Sequence, residues 1–164
     1  MGANEMKRFS IVLPLLAVLF LSACTTTRPS MSYVAPQVTP SDAQVLAGDA
    51  VVYLANPLPP ARTTLVLDPP TANASPDVLT PALIAALRMR GYGVTVADAK
   101  TGMTAGKATM LRYLASPFES GVIMRLQYLG IEASRFYPRT TDGRLLSDGT
   151  PFTVREAANE PRPR

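Results

Sequence analysis

The chain's only cysteine, Cys24, stands at the end of a short apolar run from Phe9 to Leu21. Everything downstream must therefore fold without a disulfide or a thiolate metal ligand and depends on its own apolar packing. The run is interrupted by Ser10 and Pro14, preceded by Lys7 and Arg8, and followed by Ser22, Ala23 and the polar stretch Thr25 to Arg28. A membrane-spanning helix needs about 20 apolar residues. This run falls short, and its basic start, apolar middle and small-residue end are those of a cleavable secretory leader. Glu5 is out of place there. Translation from Met6 instead of Met1 would give MKRFSIVLPLL, a cleaner leader.

The tetrapeptide Leu21-Ser22-Ala23-Cys24 resembles the bacterial lipoprotein box, a branched apolar residue and two small ones before an acceptor cysteine. The resemblance implies that Leu21, Ser22 and Ala23 are read by the signal peptidase and that residues 1–23 are removed. The Cys24 sulfur then carries a diacylglyceryl group and its freed amine an acyl chain. Cysteine suits this task because its thiolate is a strong nucleophile. One acyl chain holds a protein only marginally, whereas two or more anchor it stably. Thr25 is not the aspartate that in one bacterial rule retains lipoproteins in the inner membrane, so the periplasmic face of the outer membrane is favoured as destination. No cofactor beyond the covalent lipid is expected.

The remainder has the length of one domain. Its charge, +4 over the whole chain, is spread without runs of like sign, so no nucleic-acid footprint is visible. The chain has no histidine. That removes the commonest general base, the commonest metal ligand and the Ser-His and Cys-His nucleophile pairs. Carboxylate chemistry could draw on Asp68, Asp77, Asp98, Glu119 and Glu132, but no spacing brings two of them together, and each reads as a turn, cap or solvated-face residue. The chain is therefore expected not to be an enzyme.

Residues 24–40, rich in Thr, Ser and Pro, read as a lipidated tether with Tyr33 and Val34 as its only apolar handles. A domain follows over 41–157, with a polar tail at 158–164. Ser41 and Asp42 are expected to cap a helix over 42–55 whose stripe includes Val45, Leu46, Asp49, Val52 and Tyr53. Prolines then enclose a buried strand, Thr63 to Asp68. Ser75, Pro76 and Asp77 are expected to open a second helix with Leu79, Leu83, Ile84 and Leu87 on one stripe and Gly91 at its end. A strand at Tyr92 to Ala97 comes next. TGMTAGKAT, beginning at Thr101, looks like a phosphate-binding loop but fails on count, since Gly102 and Gly106 are too close and Ala108 stands where Ser or Thr would hold magnesium.

From Thr109 the apolar period becomes two. It predicts strands at 109–115, 121–129, 131–138 and 152–156, with a hairpin turn at Thr141 to Arg144. Val122, Met124, Leu126 and Tyr128 should share the core face. The whole reads as an α+β fold, two helices packed on a small mixed, largely antiparallel sheet. Arg112, Arg125, Arg135, Tyr137, Arg139 and Arg155 are candidates for an exposed protein interface, because arginine and tyrosine suit such contacts. Arg125, Arg135, Tyr137 and Arg155 are its expected centre. A solvated sheet face is the plainer reading of the same residues.

PLPPARTTLVLD (Pro57 to Asp68), LIAALRMRGYGVTV (Leu83 to Val96) and the pair SRFYPRTTDGRL and PFTVREA (within Ser134 to Ala157) occur in an order and spacing that resemble the TrbH-type lipoproteins of conjugative type IV secretion systems. The match departs at Phe152, where the family pattern favours tryptophan. The resemblance implies a structural part of the mating-pair formation apparatus, with other apparatus subunits and a membrane as partners and no direct contact with nucleic acid. Self-association within that assembly stays open. Only Cys24 inherits a defined role. The alternatives are an envelope lipoprotein acting as a chaperone or binding module outside conjugation, and a carboxylate hydrolase.

Overall fold

The computed structural model describes residues 32–71, 76–98, 101–102 and 107–156. The leader, the lipoprotein box, residues 24–31, Ser75, the middle of TGMTAGKAT (103–106) and the tail 158–164 lie outside the described residues.

Residues 32–39 belong to the fold. The segment expected to be a tether is already held at its described end. The strand β1 (Tyr33–Val34) runs parallel to Leu114 and Ala115, and the Ser32 hydroxyl accepts a hydrogen bond from the Tyr113 amide at 3.1 Å. Val34 thus packs on the chain's own core. The helix α1 (Pro40–Leu54) starts earlier than its first acidic residue suggests, because Thr39 is the cap: its hydroxyl accepts from the Asp42 amide, while the Asp42 carboxylate accepts from the Thr39 amide. Its buried stripe is Ala43, Leu46, Ala47, Ala50, Val51 and Leu54. Val52, expected on that stripe, is 66% exposed. Small alanines alternate there with the wholly buried Leu46 and Leu54.

A 3₁₀ turn at Pro60–Arg62 leads into β2 (Thr64–Leu67), whose Leu65, Val66 and Leu67 are all buried. The second helix, α2 (Leu79–Arg90), does not take Pro76 as its first residue. Asp77 still acts at its start, accepting from the Leu79 and Thr80 amides at 3.1 and 3.0 Å. Gly91 ends it in the left-handed conformation, φ 97°, a region open to glycine at little cost. The strand β3 (Gly93–Val96) then pairs parallel with β2, as a strand-helix-strand unit requires.

Three longer strands, β4 (Thr109–Phe118), β5 (Gly121–Tyr128) and β6 (Ile131–Pro138), and the short β7 (Thr153–Glu156) complete the sheet, each antiparallel to the next. β2 joins β4 in parallel, giving the order β3-β2-β4-β5-β6-β7, with β1 continuing along β4 beyond the end of β2. Pro151 bears on where β7 starts. Continuing the register from Ser134↔Thr153 would set it opposite Phe136, and proline has no N–H for the ladder. At the β4–β5 turn, a Cβ on Gly121 would overlap the Tyr137 carbonyl and the Phe136 ring.

Both helices lie on one face of the sheet. Leu111, Tyr113, Ala115, Val122, Met124, Leu126, Ala133 and Tyr137 form its floor, with the helical leucines above. Among the described residues, no helix lies on the opposite face. No helix of the described residues is long and apolar enough to cross a membrane.

Candidate functional site

Strand parity divides the arginine and tyrosine candidates into two groups that do different work. On β6, Ala133, Arg135 and Tyr137 point to the helix side, opposite Leu126, Met124 and Val122 of β5. Arg135 is 8% exposed and Tyr137 wholly buried, so neither belongs to an exposed interface. This corrects the sequence reading, which treated the whole set as surface. Arg112, Arg125 and Arg155 have the other parity and lie on the uncovered face.

The inner group forms a clasp. Arg135 Nη1 lies 2.6 Å from Asp49 Oδ2 on α1, and Nη2 lies 3.1 Å from Asp148 Oδ1 on the β6–β7 connection. Its guanidinium also stands 5.0 Å from the Tyr137 ring centre and 5.9 Å from that of Phe152. Ser147 donates to the other Asp49 oxygen at 2.8 Å, and Phe152 stacks on Tyr53 at 4.4 Å. Tyr53 in turn shares a 2.7 Å hydrogen bond with the Tyr128 hydroxyl. Phe152 is therefore the aromatic plate between helix and clasp. Burial pushes the Tyr137 hydroxyl well above its usual range, and the negative charge of Asp49 adds to this. Bonds from Thr150 first, and then from Arg135, hold Asp148 down at about 2.

Arg139 belongs to the same side. It grips Asp42 with two bonds, Nη1 to Oδ1 at 3.0 Å and Nη2 to Oδ2 at 2.7 Å, and closes the expected turn through the Gly143 carbonyl. Burial would raise the Asp42 carboxyl, but the bonds from Arg139 and Thr39 outweigh it and hold the group below its ordinary value.

The uncovered face is arranged differently. Arg112 pairs with Asp68 at 3.3 Å, and Arg155 pairs with Glu132 at 2.5 Å. Gln127 also donates to Glu132, and although burial alone would raise that carboxyl, Gln127 and Arg155 together keep it low. Arg125 is exposed between Leu114 of β4 and Ser134 of β6. The five acids considered for catalysis are dispersed: Asp68 and Glu132 face arginines, Asp77 and Asp98 bond nearby amides, and Glu119 occupies the β4–β5 turn with φ 47°.

Among the described residues, hollows open beside these groups. A cleft of 550 Å³ opens beside the clasp, lined by Ile123, Arg135, Phe136, Asp148 and Pro151. Its one arginine is already neutralised by two carboxylates and has no charge to spare for a ligand. A groove of 380 Å³ runs between the helices past Gly48, Val52, Ala85 and Met89. The pairing of Arg135 with Asp49 and Asp148 escaped sequence reasoning. Its one legible trace was an acid on an otherwise apolar helical stripe.

A sequence model of the family described as "Conjugal transfer protein TrbH" matches residues 25–157. No curated protein and no solved structure matches the chain.

Proposed function

Because this chain belongs to the TrbH family of conjugal transfer proteins, we propose that it is a non-catalytic structural component of a conjugative type IV secretion apparatus, held at the periplasmic face of the outer membrane by lipid on Cys24. The observation that carries this reading is the family match across 25–157, directly preceded by Leu21-Ser22-Ala23-Cys24. The diacylglyceryl and acyl chains pin the protein to the bilayer, and the α+β domain docks on other subunits of the apparatus. The role is mechanical. Of the acids named for hydrolysis, Asp77 holds the start of α2, and Asp68 and Glu132 are paired with arginines.

The deciding experiment is conjugation from donors lacking the gene, complemented with wild type or Cys24→Ala, with protein level and membrane fraction followed in parallel. Transfer restored by wild type and not by an equally abundant Cys24→Ala protein supports an anchored apparatus component. Undiminished transfer from the deletion strain overturns the apparatus role and favours an envelope chaperone or binding module.

A further inference from the structure

The geometry points to the uncovered sheet face as a phospholipid contact: the domain lies with Tyr33, Phe118 and Arg125 against the headgroups of the membrane that holds Cys24. This rests on the lipid anchor proposed above. Three observations carry it further than the anchor alone.

The first is reach. Ser32 is buried and bonded to the Tyr113 amide, so residues 25–31 are all that separate Cys24 from the fold. Fully extended, they span at most about 25 Å. A domain of this size has a radius of gyration of about 14 Å. It therefore cannot stand off the bilayer by more than its own width, and even weak lipid affinity acts at high effective concentration.

The second is the point of entry. The chain joins the fold at β1, beside Leu114, and the Tyr33 side chain lies on the uncovered face. The third is the chemistry of that face. Leu114, Ile123 and Phe136 are only half-buried, Phe118 is 51% and Tyr33 41% exposed, and Phe118 meets Phe136 edge-on at 6.0 Å. Arg125 projects among them, while the flanking Arg112 and Arg155 are already paired with acids. Aromatic rings and a guanidinium over an apolar base suit the headgroup layer, where anionic phosphates lie above acyl chains. The helices and their groove at Val52 and Met89 then face the periplasm, free for subunits of the apparatus.

The test uses the full, processed protein in vesicles of phosphatidylethanolamine and phosphatidylglycerol. Because Cys24 is the only native cysteine, Phe118→Cys, Arg125→Cys and, on the helix side, Met89→Cys each give one free thiol for a bimane label. All three positions are exposed, so the core is left intact. Bimane at 118 and 125 should be quenched severalfold more by headgroup-proximal doxyl lipid than bimane at 89. Equal quenching at all three sites, or none at 118 and 125, overturns the proposal. So does quenching by lipid only at 89. Labels at 118 and 125 that escape lipid in vesicles but become shielded from water-soluble quenchers in donors expressing the apparatus would assign the face to a protein partner and also overturn it. Mass spectrometry of the N-terminal peptide separates the two levels: unmodified Cys24 removes the anchor itself, whereas lipidated Cys24 with unquenched labels removes only the docking.

Discussion

Arg139 reaches back 97 positions to Asp42, and its two nitrogens bond both oxygens of a carboxylate that also closes the cap of α1. One carboxylate thus joins the end of β6 to the first turn of the first helix. Asp42→Ala should cost about 2–3 kcal/mol, because it removes a helix cap and leaves a partly buried guanidinium unpaired. Arg139→Lys keeps the charge but cannot make the two-pronged contact and should cost less. Urea denaturation midpoints at neutral pH would rank the two.

Acid should loosen the same side of the domain. The Asp42 carboxyl is held below its ordinary value and that of Asp148 at about 2, both below their unfolded values. Groups depressed in this way contribute stability in full above the unfolded value, near 4, and lose it as pH falls through the folded one. Stability should therefore be level down to about pH 5 and fall between about 4 and 2. Asp42→Asn should flatten that fall. Tyrosine fluorescence can follow it, since the chain has no tryptophan.

Removing the centre of the clasp should be worse than trimming its edge. Arg135→Ala leaves Asp49 and Asp148 without their shared cation and is expected to cost about 3–5 kcal/mol. Hydrogen exchange should then rise in residues 145–152 before it rises in β4 and β5. Arg135→Met, which keeps the volume, should recover part of the loss.

Phe152→Ala should cost about 2 kcal/mol, since the ring is half-buried between Tyr53 and Arg135. Phe152→Trp should be tolerated, because the stack is open enough at its edge for the phenylalanine to be only half-buried. Thermal melts of the two variants would separate a plate that any aromatic can fill from one tailored to phenylalanine.

Two glycines should respond in opposite directions. A Cβ on Gly48, inside α1, meets nothing within 4 Å, so Gly48→Ala should stabilise by about 0.5–1 kcal/mol. Gly121→Ala has to displace the Tyr137 backbone carbonyl and should destabilise by about 1–3 kcal/mol. Chemical denaturation of the pair reads both signs in one experiment.

Much of this molecule was legible in the residues themselves. The period-two alternation marked β5 and its buried Val122, Met124, Leu126 and Tyr128, prolines and β-branched residues marked β2, and Gly91 marked the end of α2, because each is a local preference of backbone or pleat. The family, too, was written in the order of such segments. What the sequence could not settle were contacts made at a distance. Val34 looked like part of a slack tether because its strand partner, Ala115, lies far along the chain. Arg135 and Arg125 look alike in sequence, yet strand parity and the placement of α1 bury one against Asp49 and leave the other in the open. Local chemistry determines that a strand forms and which residues alternate along it. Only the packing of helices on one side decides which alternate set becomes core and which becomes surface.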